Sequence, residues 1–295
     1  MPEELQYCVI CGNRNIFEDS WAAKRLGLIE PYKVKVCSKC DLKWLSPRPT
    51  EQEYKKIYLE NEYFTGNKVP QVYEDIVKKR IPYFKKRCLR IKKVIGLQKI
   101  KLLDIGAATG EFAKIANEMG IEAIGIEISR WACEIAKEKH NINLICKDLL
   151  DCDFPDSYFD VVQMNHVFEH IVNPLNFLKK VKKILKKNGL LVLEVPYQFD
   201  NYLEKVKKIL GRTKYPKYSL FSIHHPFFYS PKSISLLLNK YNFRILSLKT
   251  FDLHNPSLEI DSNFIFGKII KVAILFTASF FNKGGFIEIF ARMEG

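Results

Sequence analysis

No stretch of this 295-residue sequence carries the roughly 20 unbroken apolar residues that a helix needs to cross a bilayer. The most apolar tract, FIFGKIIKVAILFTASFF at 264–281, is interrupted by Lys268 and Lys271. It is expected as a buried or surface-lying helix, with at most weak peripheral membrane contact through its apolar face. The opening MPEELQY holds acids and no apolar core. It therefore does not read as a secretory or transit signal, and the expected location is the cytoplasm. Internal repeats and low-complexity tracts are also missing, and a 47% hydrophobic content is enough to bury a substantial core. Acids are scarce relative to bases: 33 Asp and Glu stand against 47 Lys and Arg, a formal charge of +14. That balance suits an anionic partner, and equally a lysine-rich, heat-adapted composition.

Cysteine is concentrated at one end. Of eight, Cys8, Cys11, Cys37 and Cys40 form two CxxC pairs, while Cys88, Cys133, Cys146 and Cys152 are scattered. Two such pairs in a cytosolic chain favour metal over disulfides, each pair aiming two thiolates at one tetrahedral Zn(II). The alternative is four ordinary reduced thiols. Four thiolate ligands leave no open coordination position, so the zinc is expected to be structural. The 25 residues between the pairs exceed the usual ribbon spacing, so WAAKRLGLIEPY is expected to add a loop or an extra element there.

After SPRPT, residues 78–101 hold eleven Lys or Arg and no acid, with apolar residues at helical spacing. This predicts an amphipathic helix, kinked or started at Pro82, whose basic face is either solvated or turned to an anionic substrate or RNA. From residue 97 the pattern alternates: strands KIKLLDIG, IEAIGIE, INLICKD, FDVVQMN and GLLVLEVP, with three helices among them and Gly189 capping the third. Apolar strands alternating with helices predict a parallel sheet covered on both faces. A helix (SPKSISLLLNKYN) and strands FRILSLKTF and GGFIEIFARM complete it, while residues 197–222 break the rhythm and read as a lid. The expected domains are a zinc-ribbon-like module at 1–50, a helical linker at 51–96 and an α/β domain at 97–295.

What the glycine turn lacks is informative. LLDIGAATGEF has Gly106 and Gly110 but Ala108 where a dinucleotide fingerprint needs its middle glycine. Asp104 at its mouth would repel a diphosphate and attract an ammonium or sulfonium group. At the next strand tip Glu127 suits two ribose hydroxyls, and Asp148 after the third can accept from an adenine amino group, with Leu149 beside it. An amino-acid cation, a ribose diol and adenine together describe S-adenosylmethionine (SAM).

With these residues the chain resembles class I SAM-dependent methyltransferases over roughly residues 97–295. LLDIGAATGEF is similar to the family's first motif, with Ala107 and Ala108 as departures; GIEIS resembles its ribose motif, and FPDSYFDVVQMNHVFEHIVNP its fourth-strand segment. The resemblance implies an α/β, Rossmann-like, seven-stranded sheet. It also implies SAM contacts from Asp104, Gly106, Ala107, Gly110, Phe112, Glu127, Ile128, Asp148, Leu149 and Asn165. The two CxxC pairs, LSPRPT and HHPFFYSPKSISLLL resemble a bacterial and archaeal subgroup with an N-terminal zinc module, some members of which methylate sugars or glycan intermediates.

In-line methyl transfer needs collinear placement above all, and a general base if the acceptor is a hydroxyl or carbon acid. Candidates are Asn165, His166, Glu169, His170, Tyr197, His224 and His225. His225 comes first because HPFFYSP resembles the subgroup segment facing the acceptor; His166 and Tyr197 follow, and Glu169 and His170 are expected to fix loop geometry. The leading expectation is O-methylation, less so C-methylation, of a small-molecule or glycan-linked, sugar-like and anionic acceptor. RNA methylation is the first alternative, though no base-stacking NPPY follows the fifth strand. A non-catalytic adaptor that keeps the fold and the zinc is the second.

Overall fold

The computed structural model describes residues 3–54, 69–209, 211, 225–251 and 284–295, with side chains described throughout except at 69–76. Most of the expected lid beyond residue 209, His224, and the whole apolar tract at 264–281 lie outside the described residues. Among the described residues, no helix is long and apolar enough to cross a membrane.

Two sheets organise the chain. The N-terminal one has four strands in the order β1-β2-β3-β8: β1 (Ile16–Glu18), β2 (Lys33–Cys37), β3 (Lys43–Ser46) and β8 (Phe227–Phe228). The segment between the CxxC pairs forms helix α1 (Ser20–Leu26), whose start is capped by the Asp19 carboxylate accepting from the Ala22 amide and whose end is closed by left-handed Gly27. β8 arrives from far along the chain and pairs antiparallel with β3, Lys43 opposite Phe228 and Trp44 opposite Phe227. The sheet is therefore completed by the HPFFYSP segment.

The larger sheet has six strands ordered β5-β4-β6-β7-β10-β9. β4 (Lys101–Ile105), β5 (Glu122–Ile126), β6 (Phe159–Asn165) and β7 (Leu185–Pro196) run parallel, while β10 (Phe286–Met293) is antiparallel to both β7 and β9 (Phe243–Phe251). The parallel strands are nearly continuous apolar runs because both faces are covered. The helices are α2 (Val69–Ile95), α3 (Glu111–Glu118), α4 (Arg130–His140), α5 (Pro174–Ile184), α6 (Tyr202–Ile209) and α7 (Pro231–Lys240), the last opened by a Ser230/Ser233 capping box.

Two expectations are corrected, and one alternative is decided, among the described residues. INLICKD is not a seventh strand: only Ile145 bridges to Ile126, through Ile145 N–H to the Gly125 carbonyl (2.9 Å) and Glu127 N–H to the Ile145 carbonyl (3.1 Å). The chain turns straight into a capped turn at Asp148, which leaves no second residue to pair. The lysine-rich helix does not run to Gly189 but ends at Ile184, where β7 begins, and the left-handed residue is Asn188, inside that strand. Pro82 lies inside α2 rather than at its start.

α2 sorts its cations by type. Lys78, Lys79, Lys85, Lys86 and Lys93 are exposed, while Arg80 and Arg87 turn inward beside Phe84, Cys88 and Ile91, which pack on Leu102, Val161, Val192 and Phe290 of the sheet. The guanidinium's fixed fork suits buried pairing, whereas the ammonium is more strongly hydrated. The core is contiguous with the N-terminal module: Cys8, Ile10, Leu42 and Trp44 belong to the same buried cluster as Phe168, Phe227, Tyr229 and Leu193.

Candidate active site and metal centre

β4 ends in Ile105, and the chain then reverses through Gly106 at φ 68°. A Cβ at Gly106 would sit 2.3 Å from Val167 Cγ2, so glycine is required both for its backbone and for its size. The Gly106 and Ala107 amides both donate to the Ile126 carbonyl, at 2.9 and 3.0 Å, tying the turn to β5. Ala108, in place of the middle glycine, adopts φ 49° and donates its amide to Glu127 Oε2 at 3.0 Å. Gly110, at φ 84°, starts α3, whose Phe112 is buried edge-on against Phe84 with centroids 5.6 Å apart.

Asp104 does not project from the turn's mouth. It is buried, its Oδ1 accepts from Gln163 Nε2 at 2.8 Å, and its Oδ2 has no hydrogen-bond partner among the described residues. Desolvation raises its pKa to about 7, with the Gln163 bond and Arg87 opposing the rise. Glu127 is buried too; its Oε1 accepts from the Ser129 amide at 2.9 Å, and burial pushes its pKa up while these backbone donors pull it down. Each of its oxygens keeps acceptor capacity for a hydroxyl. Ile128 follows, partly buried. Asp148 caps the turn Leu149–Asp151, its Oδ1 accepting from the Leu150 amide at 2.9 Å, with Leu149 buried behind it. The acids Asp104, Glu127 and Asp148 thus lie at or just after the carboxyl ends of β4 and β5 and beyond the Ile145 bridge.

A second group sits at the ends of β6 and β7. Asn165 accepts at Oδ1 from Arg87 Nη1 (3.1 Å) and Arg80 Nη2 (3.3 Å). His166, at φ 56°, donates its amide to the Glu194 carbonyl (3.0 Å); its ring lies between Glu169 (Nδ1 to Oε1, 3.3 Å) and Glu194 (Nε2 to Oε1, 3.0 Å). Desolvation would lower its pKa, but the two carboxylates outweigh that and raise it. Tyr197 is half-buried just after β7, with its pKa raised to about 12 by burial. The next residue, Gln198, places Oε1 2.8 Å from His225 Nδ1. His225 is buried, its ring edge-on to His170 at 4.5 Å between centroids. His166, Glu169, His170 and His225 therefore meet, although His225 comes from a segment far along the chain from the other three.

Sequence reasoning missed what supports this group. Glu194 and Glu288 face each other across β7 and β10. Arg80 and Arg87 both pair closely with Glu194; the single Tyr83 hydroxyl proton is shared between Glu194 Oε2 (2.7 Å) and Glu288 Oε1 (2.8 Å); Arg90 pairs with Glu288. Burial alone would raise the Glu194 pKa, yet Arg87 and then Arg80 hold it well below the usual carboxylate range. Gln163 joins this network to Asp104, since Arg87 Nη1 donates to Gln163 Oε1 at 3.3 Å. The available signal was a polar residue set between apolar neighbours in each of three strands: Gln163, Glu194 and Glu288.

The four N-terminal cysteines converge. Cys8 Sγ lies 3.5 Å from Cys40 Sγ, and Cys11 Sγ lies 3.5 Å from Cys37 Sγ. The two turns match: the Gly12 amide donates to the Cys8 carbonyl (2.8 Å) and the Asp41 amide to the Cys37 carbonyl (3.0 Å), and Gly12 and Asp41 are both left-handed. Ligands about 2.3 Å from a tetrahedral zinc stand about 3.8 Å apart, close to these separations. The geometry is compatible with one metal ion held by all four thiolates.

The order of the sheet, the glycine turn and the acids at the strand ends define a class I SAM-dependent methyltransferase. Residues 73–248, more than half of the chain, match a family model described as a methyltransferase domain, and the chain belongs to that family. It is 26% identical to "Uncharacterized protein MJ1123" of Methanocaldococcus jannaschii over 82% of this chain and 95% of that one. It is 30% identical to the ubiquinone biosynthesis O-methyltransferase of Pelagibacter ubique over 39% of this chain and 51% of that one. A chain of the solved complex containing the Haloferax volcanii Trm112 methyltransferase activator aligns at TM-score 0.51 and 15% identity, over 73% of this chain and 94% of that one, a likeness of fold alone.

Proposed function

We propose that this methyltransferase acts on an oxygen of a small-molecule or glycan-linked, sugar-like acceptor bound at the carboxyl ends of β6 and β7. The observation that carries the reading is the convergence of His166, Glu169, His170 and His225, with Gln198 on His225, beside the glycine turn, whose Gly106 lies against Val167. SAM, when bound, supplies an electrophilic methyl group on a sulfonium. The unpartnered Oδ2 of Asp104 and the spare acceptor capacity of Glu127 fit its cationic and ribose ends. Residues of the turn hold the donor, and the β6–β7 group holds the acceptor oxygen in line.

His166 is the residue that takes the acceptor's proton. It is the more exposed of the two leading histidines, and Glu169 and Glu194 make its ring a stronger base than a free imidazole. His225, buried and tied to Gln198, shapes the pocket. If His166→Ala and His225→Ala both turn over at the wild-type rate with SAM bound, the base lies elsewhere. The RNA alternative loses support because the arginines of α2 are engaged by Glu194 and Glu288. The exposed lysines of the same helix suit an anionic acceptor.

Cys8, Cys11, Cys37 and Cys40 hold a structural Zn(II) in this reading, supported by the paired Sγ separations and the matched turns. A thermal-shift panel of SAM, S-adenosylhomocysteine, NAD and nucleotide sugars tests donor and acceptor class together. Stabilisation by SAM and by a nucleotide sugar supports the proposal; stabilisation by NAD alone would remove it.

A further inference from the structure

Glu169 is the least explained group near the site. It lies in the short turn Phe168–His170, is 1% exposed, and among the described residues neither carboxylate oxygen accepts a well-formed hydrogen bond. The His166 contact at 3.3 Å is within ion-pair range but misaligned for a hydrogen bond. A buried carboxylate whose close neighbour is a misaligned histidine is poorly compensated, and a cation is the usual remedy.

The surroundings supply the rest of a ligand set. Glu169, His170 and His225 each offer one ligand atom, and these atoms lie within 4.8 Å of one another. His225 Nδ1 donates to the Gln198 side-chain oxygen at 2.8 Å, which fixes the tautomer carrying its lone pair on Nε2. A metal-binding histidine is commonly oriented in this way, through its other ring nitrogen and a neighbouring oxygen. The two imidazoles stand edge-on, 4.5 Å between centroids, and the two distant segments that supply the ligands are packed together by the stacked rings of Phe168 and Tyr229, 5.3 Å between centroids.

We propose that Glu169, His170 and His225 form a divalent-cation site, separate from the four cysteines, which grips the methyl acceptor through neighbouring oxygens. Two imidazoles and one carboxylate suit Mn(II), Fe(II), Co(II) or Zn(II) and leave positions open for a ligand. Its catalytic use rests on the methyl transfer proposed above. The cation lowers the pKa of the coordinated hydroxyl, and that proton passes to the His166 ring. An oxygen lone pair forms the new bond to the methyl carbon, and the electrons of the broken carbon–sulfur bond go to sulfur. His225 then acts as ligand and His166 as base.

The test uses the full chain and a hard ion that thiolates bind poorly. Mn(II), followed by water-proton relaxation, is titrated into wild type, Glu169→Gln, His170→Ala and Cys40→Ser, with Co(II) absorption as a second probe. The proposal expects one Mn(II) per chain, weakened about tenfold or more in Glu169→Gln and His170→Ala and unchanged in Cys40→Ser. Partly buried His170 is the variant that keeps the fold, checked by circular dichroism. Absence of a site outside the cysteines for both ions overturns the proposal, as does binding that survives both ligand variants. SAM titration on the same samples separates the two readings. Wild type that binds SAM without Mn(II) loses only the cation site, and wild type that binds Mn(II) without SAM loses the methyl donor.

Discussion

Asp104→Asn separates two opposite consequences of one buried carboxyl. Its pKa rises from 3.8 to about 7 because burial outweighs the Gln163 hydrogen bond. The folded state therefore binds this proton more tightly than the unfolded state does. Stability from this group is highest at low pH and is lost as pH rises from the unfolded value through the folded one. Between pH 5.5 and 8.5 the loss comes to about 2 kcal/mol, at about 1.4 kcal/mol for each tenfold change in proton affinity. In a domain of this size that moves the melting temperature by on the order of 4 °C. Cation binding runs the other way, since ionised Asp104 attracts a sulfonium or ammonium group, so SAM affinity should climb through pH 7. In Asp104→Asn the amide oxygen still accepts from Gln163, while both slopes should flatten. Chemical denaturation and calorimetric SAM titration across that pH range measure the two. Identical pH slopes in variant and wild type, for stability as well as affinity, would refute the assignment of this carboxyl.

The remaining predictions concern the turn, the network and the cysteines. Gly106→Ala should lose about 1–3 kcal/mol of stability and most SAM affinity, because its Cβ meets Val167 and its φ is 68°; a melting curve and a SAM titration check both. Arg87→Met should cost about 3–5 kcal/mol by leaving buried Glu194 short of a partner, and Arg87→Met/Glu194→Leu should recover much of it in a double-mutant cycle. Cys40→Ser should lower bound zinc below one ion per chain and the melting temperature with it, measured by elemental analysis and calorimetry. The pH–rate profile of kcat should show an acid limb, because neutral His166 is the base and the Glu194 carboxylate beside its Nε2 favours the protonated ring; His166→Ala should abolish that limb.

The β4–β7 parallel strands were legible because a strand covered on both faces is a nearly unbroken apolar run. The same cue misled at INLIC, where apolar residues continue but only Ile145 finds a partner. At α5 the lysine pattern runs past Ile184, yet the left-handed residue Asn188 depends on local backbone geometry that periodicity does not register. The acids at the strand ends were found, but not their burial; Asp104 reads as a free charge until Gln163 is seen against it. The Arg87–Glu194 and Arg87–Glu288 pairs span 107 and 201 residues, so a basic helix looked solvated when its arginines were turned inward. The two-residue strand β8 is too short to carry any period.

That short strand has a consequence for how the chain is made. The amino-terminal sheet keeps an unpaired edge along Lys43–Ser46 until Phe227 and Phe228 have been synthesised, by which time most of the parallel sheet is already available to fold. An emerging fragment would expose Trp44 and Leu45, which are nearly fully covered in the finished protein, so translation must carry a sticky, half-built cap for some 180 residues before it can close.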